Sequence, residues 1–292
     1  METDAGAEVP QVRSLVQLAT SLGLDAEQAQ VLRAGANLVV HLAPSPVVAR
    51  VATMTAEMRG GAVNYLRRER DITRALVDRG LSVIGPTDLV DPGPHRVSGH
   101  AVLLLKHHDL EPIDRNAPRD AAGAGLALVA LTEALADLPP ELAKGDAGHP
   151  WSEMDRLLTT VTPANESAVM DRIRGYVAEL RDQEPGDPRR LVHGDAHPGN
   201  VARSGGRIIW FDFEDANRRP LAWDLASLRR SWPAAGDVAC RELRVDVASP
   251  TMRWHHELRD VYALLWSMFS ATRYAGTRAQ NKTRLADWLD RH

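Results

Sequence analysis

The sequence holds one cysteine, Cys240, so no internal disulfide can form. Lying in a helical pattern, it reads as a small core residue rather than a nucleophile. Lysine occurs only at Lys106, Lys144 and Lys282, and aromatic residues are 5% of the chain. The net charge is −4 with acids and bases interspersed, which excludes the basic stripe that grips a nucleic acid backbone. No apolar run reaches the roughly 18 residues of a membrane helix. The acidic start METDAGAEVP has neither the basic n-region nor the apolar h-region of a secretory signal. These absences lead to the expectation of a cytoplasmic protein with neither membrane nor nucleic acid as partner.

What is present is ordinary globular material, 44% hydrophobic and 25% charged. Its 292 residues are enough for one large domain or two lobes. RSLVQLATSLGL places Leu15, Val16, Leu18, Ala19 and Leu22 on one helical stripe. AQVLRAG, NLVVHLAPS and PVVARVAT then read as three short antiparallel strands, separated by Gly, Asn and Pro. VNYLRRERDITRALVDRG follows as a helix with Leu66, Ile72, Leu76 and Val77 inward and Gly80 closing it. SVIGPTDLV and HAVLLLKH are expected as two further strands around the turn-rich DPGPHRVSG, giving the order βββαββ. Beyond His108 the pattern turns helical, with Pro/Gly loops at PPELAKGDAGHP and QEPGDPRR and a hairpin at VARSGGRIIWFDFE whose turn is Ser204 to Gly206. The division expected is residues 1–105 as one lobe and 106–292 as the other, meeting at Lys106 to Asp109.

LVHGDAHPGN, residues 191–200, concentrates polar groups behind two apolar residues. In one reading His193, Asp195 and His197 alternate along an extended segment and share a metal ion, as in a metallophosphoesterase. That chemistry needs further Asp, Asn and His clusters, which the sequence does not group. In the other reading the loop serves phosphoryl transfer. Asn200 lies five residues after Asp195, and Asp212 in WFDFED follows twelve residues later at the end of an apolar strand. Kinase-type transfer uses an Asp at the acceptor hydroxyl, an Asn five residues on for Mg²⁺, and a further Asp for the metal bridging the phosphates.

HGDAHPGN and FDFE, with PLAWDLA behind them, resemble the aminoglycoside phosphotransferase and choline kinase group, small-molecule relatives of protein kinases. The resemblance implies an α+β, bilobal protein-kinase-like fold with a small antiparallel-sheet N-lobe and a mostly helical C-lobe. It implies ATP- or GTP-dependent transfer with Mg²⁺, and antibiotic resistance as one role. Asp195 is then the catalytic base, Asn200 and Asp212 are metal ligands, and His193, His197 and Asp224 support the catalytic loop. In the N-lobe, Gly35, Ala36 and Asn37 would cover the phosphates, and Leu105, Lys106 and His107 would meet the nucleotide. PVVARV departs from the family, because Arg50 stands where the lysine that grips the α and β phosphates is usual. A guanidinium can bind phosphate bidentately, and Glu69 on the following helix is its expected partner. With Arg50 at that position, a nucleotide-binding pseudokinase without turnover is the alternative reading.

The acceptor is expected to be a small molecule carrying a hydroxyl, such as an aminoglycoside, an amino sugar, another antibiotic or a choline-like alcohol. Glu214, Asp215, His256, Glu257 and Asp260 are the candidates to line its pocket, and acids there would suit a cation. The bland reading of the last three is a solvated helix edge.

Overall fold

The computed structural model describes residues 10–143, 150–161 and 167–292. The N-terminal stretch read for a signal, Lys144 and part of the PPELAKGDAGHP loop lie outside the described residues. The described residues form two compact units, one from residues 10–111 and 203–214, the other from within residues 112–202 and 215–292.

The first unit opens with helix α1 (Pro10–Ser21) and strands β1 (Gln30–Ala34), β2 (Asn37–His41) and β3 (Val47–Ala52). Helices α2 (Met54–Arg59) and α3 (Val63–Asp78) and strands β4 (His95–Val97) and β5 (His100–Lys106) complete it, in an antiparallel sheet of order β1-β2-β3-β5-β4. Leu15 and Ala19 of α1 cluster with Leu38, Val40, Ala49, Val51, Val102 and Leu104. Side chains alternate along a strand, so Arg50, between Ala49 and Val51, leaves on the opposite face, where Glu69 of α3 meets it. Every residue of β3 is buried, which fits a central strand covered on both sides.

The strand expected over residues 82–90 does not form. Gly85 and Pro86 interrupt it, leaving isolated bridges from Val83 to Trp210 and from Pro86 to Leu105. The edge strand is β4 instead, inside the stretch expected to be a turn. Helix α3 runs into Arg79 at its end, and Gly80 follows in the left-handed region at φ 78°.

The second unit contains α4 (Pro118–Ala136), α5 (Pro150–Thr160), α6 (Ser167–Asp182) and strand β6 (Arg189–Val192). The hairpin of β7 (Val201–Ser204) and β8 (Arg207–Trp210) follows in the chain, its residues from Arg203 onward belonging to the first unit and its turn made by Gly205 and Gly206, both at positive φ. Strand β9 (Asn217–Pro220) pairs with β6, and the remainder is α7 (Leu221–Ser231), α8 (Pro233–Glu242), α9 (Pro250–Arg273) and α10 (Arg278–Arg291). The β6-β9 ladder was not anticipated from the sequence. Ser249 caps α9 by accepting the Met252 N–H at 3.2 Å, with Pro250 in the first turn. Trp223, Trp232 and Trp288 are buried, Cys240 is a core residue of α8, and Trp266 is half-buried against Phe269. Among the described residues no helix is long and apolar enough to cross a membrane.

Candidate active site

In the second unit, β6 delivers the chain into residues 193–200, and the loop is held from behind. Asp224, in the first turn of α7 and 1% exposed, accepts the His193 N–H at 2.8 Å and the Gly194 N–H at 2.9 Å, one on each carboxylate oxygen. Burial raises its pKa, opposed by His193 and these bonds. The Gly194 carbonyl accepts from Trp223 Nε1 at 2.6 Å and Arg219 Nη1 at 3.1 Å. Gly194 has φ 88°, and a Cβ there would lie 2.1 Å from the Asp215 carbonyl oxygen, so only glycine fits.

This support leaves the Asp195 side chain 30% exposed with its carboxylate ringed by donors. Arg259 Nη2 donates to Oδ1 at 2.8 Å, His197 Nε2 lies 3.1 Å from Oδ2, and Asn200 Nδ2 lies 3.3 Å from the same oxygen. Burial alone would raise the Asp195 pKa, but His197 and then Arg259 outweigh it and hold the carboxyl well below the usual range.

Three of the four histidine ring nitrogens are engaged within the loop. His197 Nδ1 accepts the Gly199 N–H at 2.9 Å, which leaves Nε2 to carry the proton toward Asp195. His193 is fully buried, and its Nδ1 accepts the Asp195 N–H at 3.3 Å. A zinc site would have to break these bonds. Asn200 donates its amide nitrogen to Asp195, to the backbone oxygen at 3.0 Å and to the carboxylate. Its amide oxygen is therefore the group left for a ligand.

The first unit gathers a separate set. Arg50, 4% exposed, donates to Glu69 Oε2 through Nη2 and to Asp212 Oδ1 through Nη1, with Glu214 Oε2 3.8 Å away. Glu69, 2% exposed, accepts the Phe213 N–H at 3.3 Å on its other oxygen, which ties α3 to the chain just after Asp212. Asp212 stands at φ 68°, a strained position for a residue with a Cβ. Carboxylate oxygens from Asp212 and an amide oxygen from Asn200 are hard donors of the kind Mg²⁺ takes.

Of the nucleotide candidates, Gly35 and Ala36 form the turn between β1 and β2, Asn37 opens β2, and the Ala36 carbonyl accepts from Thr53 at 2.8 Å. Leu105 and Lys106 lie in β5 opposite Val48 and Val47, and Lys106 Nζ reaches Asp88 at 2.8 Å. His107 stacks on His41 with ring centroids 3.8 Å apart.

The acceptor candidates part company. Glu214 is enclosed in the first unit, where Asn37 Nδ2 donates to it at 3.2 Å and Thr55 at 3.4 Å. Its carboxylate is thus engaged by residues of that unit. Asp215 sits beside Gly194 in the second unit. His256 lies 3.5 Å from Arg229, and its pKa is lowered by burial and then by that charge. Glu257 accepts from Tyr176 Oη at 2.6 Å and faces His292 Nε2 at 2.9 Å, while Asp260 accepts from Arg291 at 2.6 Å. In each acid one carboxylate oxygen is thus engaged by a neighbouring side chain.

Arg259, the residue missed, sits on the buried stripe Met252–His255–Arg259–Tyr262 of α9. A charge at helical spacing on an apolar stripe was the available signal. Its guanidinium is held over the Trp223 ring at 4.6 Å and the Tyr262 ring at 5.3 Å, with Nη2 also donating to Ser227 at 2.8 Å.

An α+β fold with an aspartate-bearing loop braced in this way is a protein-kinase-like fold. The chain belongs to the phosphotransferase enzyme family, whose model matches residues 20–258. Nothing among the curated proteins matches the sequence. Among solved structures it is similar to the amicoumacin kinase hAmiN in complex with AMP-PNP, Ca²⁺ and Ami, with TM-score 0.71, 18% identity and coverage of 95% of this chain and 93% of that one. It is also similar to the choline kinase LicA from Streptococcus pneumoniae, with TM-score 0.62, 15% identity and coverage of 94% and 98%. A third likeness is APH(2")-IIia in its GDP and kanamycin complex, with TM-score 0.62, 14% identity and coverage of 96% of each chain. At such identities these likenesses show the shared fold.

Proposed function

We propose that this protein transfers the γ-phosphoryl group of ATP or GTP to a hydroxyl of a small molecule. The observation that carries the reading is the Asp195 carboxylate, kept ionised and partly exposed by Arg259, His197 and Asn200 on a loop clamped by Asp224. Asp195 accepts the acceptor hydroxyl's hydrogen bond and so aligns its oxygen with the γ-phosphorus. The new oxygen–phosphorus bond forms as the bond to the β-phosphate oxygen breaks, and the hydroxyl proton passes to the carboxylate. A carboxylate with so many donors is a weak base, so its contribution is mostly orientation. Asp212 and Asn200 would hold Mg²⁺, which when bound neutralises charge on the phosphates. Arg50, fixed by Glu69, faces the phosphates in place of the usual lysine.

One observation favours a nucleotide-binding module without turnover: Arg50 engages Asp212, the carboxylate a metal would need. Incubation with ATP or GTP, Mg²⁺ and a panel of hydroxyl acceptors, with phosphorylated product read by mass spectrometry, separates the two. Product formation that requires Mg²⁺ is expected. Nucleotide binding with no product from any acceptor would favour the second reading.

A further inference from the structure

The basic side chains beside Asp195 outnumber the acids able to answer them. Arg230, at the end of α7, is within electrostatic reach of both Asp195 and Arg259. It makes no hydrogen bond among the described residues, and its Nε is buried without a partner. The closest acid is Asp260, with Oδ1 3.6 Å from Arg230 Nη1, beyond hydrogen-bond range, and that carboxylate already accepts from Arg291 at 2.6 Å. Of the other acids on these helices, Glu257 accepts from Tyr176 and faces His292 through one oxygen, and Asp237 accepts from Arg229 at 2.6 Å. Arg284 adds a further positive charge, its Nη1 donating to the Ala263 carbonyl at 3.2 Å. Burial, and then repulsion from Arg259, lower the Arg230 pKa to about 10, as expected of a cation lacking a full counter-charge. The side chain is nonetheless 25% exposed, so a ligand can reach it.

We infer that the acceptor of this phosphotransferase carries a carboxylate, and that Arg230 is the residue that receives it while the acceptor's hydroxyl faces Asp195. The inference rests on the proposed phosphotransfer and adds the acceptor's charge. A guanidinium with unsatisfied donors matches a carboxylate through two parallel hydrogen bonds. An ammonium placed there would meet three guanidinium groups, Arg230, Arg259 and Arg284, against two carboxylates, Asp260 and Asp195, an excess of like charge that selects against it. Arg230 is thus a specificity residue, distinct from Arg259, whose guanidinium is spent on Asp195 and Ser227.

The test uses matched acceptors that differ only in this group: hydroxy acids such as glycerate, 3-hydroxybutyrate and gluconate, each beside its methyl ester, with kanamycin and choline as cationic probes. With Mg²⁺ and ATP or GTP, at least one acid should be phosphorylated with kcat/KM about ten-fold or more above its ester. In Arg230→Gln that preference should collapse toward unity, mainly through KM, and Arg230→Lys should restore part of it. Thermal melting of both variants checks that they fold. Turnover of kanamycin or choline in preference to every acid, unaffected by Arg230→Gln, would overturn the inference while leaving the phosphotransfer reading intact. Absence of product from every probe, with the acids also failing to shift the melting temperature of the AMP-PNP-bound protein, would overturn it as well. Absence of product with acids that do bind, weakened by Arg230→Gln, would support the carboxylate site and count against phosphotransfer alone.

Discussion

Arg50 is the centre of a buried charge network, and its removal should be felt unequally by its partners. Substituting Arg50 by Met leaves Glu69, Asp212 and Glu214 facing one another without the cation between them. Breaking a buried pair by removing one member costs about 3–5 kcal/mol. Glu69→Gln is gentler, because Arg50 keeps Asp212, and the amide oxygen can still accept the Phe213 N–H that Glu69 holds at 3.3 Å. Its cost should be about 1–3 kcal/mol, one charge-assisted hydrogen bond. Once Arg50 is gone, Glu69→Gln removes an unpaired buried charge and should restore stability rather than reduce it further. The double variant should therefore be no less stable than Arg50→Met alone, a coupling of at least about 1 kcal/mol. Urea unfolding of the wild type, both single variants and the double variant measures this, and the KM for ATP or GTP measured alongside should rise in each single variant. Arg50→Lys should also be impaired, since a point charge cannot bond Glu69 and Asp212 through two nitrogens as the guanidinium does. Costs that add within about 0.5 kcal/mol would show that the two side chains do not act as a pair.

Three further outcomes follow from the second unit. His255 is 2% exposed and its pKa is lowered to about 4 by burial, against the attraction of Asp187 at 3.5 Å. The unfolded chain binds a proton near pH 6.5 that the native state refuses until about pH 4, so stability should fall as pH drops through that window, by roughly 3 kcal/mol. Denaturant melts of wild type and His255→Gln between pH 7 and pH 4 check the sign, and an unchanged slope in the variant would remove His255 as the cause. Gly194→Ala must push a Cβ against the Asp215 carbonyl at a left-handed backbone position, and should abolish soluble expression or transfer activity, whereas Gly186→Ala, with open space at its Cβ, should be neutral. The thiol of Cys240, buried and pushed up to about 11, should resist iodoacetamide at pH 8 in the native protein and react on unfolding, as read by mass spectrometry.

What could be read from the sequence tracks how locally each feature is determined. Strands β1, β2, β3 and β5 stand out as Val- and Leu-rich runs between Gly, Asn and Pro, and α3 by its apolar spacing. Strand β4 is three residues long in a Pro/Gly-rich stretch, and is made a strand only by its partner β5. The Arg-rich strands β6 and β9 owe their pairing to contacts more than twenty residues apart in sequence, Leu191 with Arg218 and Val192 with Asn217, which no local pattern announces. Asp195, Asn200 and Asp212 stood out as a spaced motif because each spacing is fixed by short backbone segments. Arg259 reaches Asp195 from 64 residues away through the packing of α9 on α7, so its place at the carboxylate needed the fold. Glu257 and Asp260 were visible as acids, but the sequence hid that Tyr176, His292 and Arg291 occupy them.

The most direct measurement is the rate of phosphoryl transfer from γ-labelled ATP or GTP in the presence of Mg²⁺, compared between the wild type and Asp195→Asn. The substitution keeps the shape of the side chain but removes the charge that Arg259 and His197 surround. The account predicts a loss in kcat of roughly 10²- to 10⁴-fold, with nucleotide affinity nearly unchanged. Transfer by Asp195→Asn at the wild-type rate would contradict it.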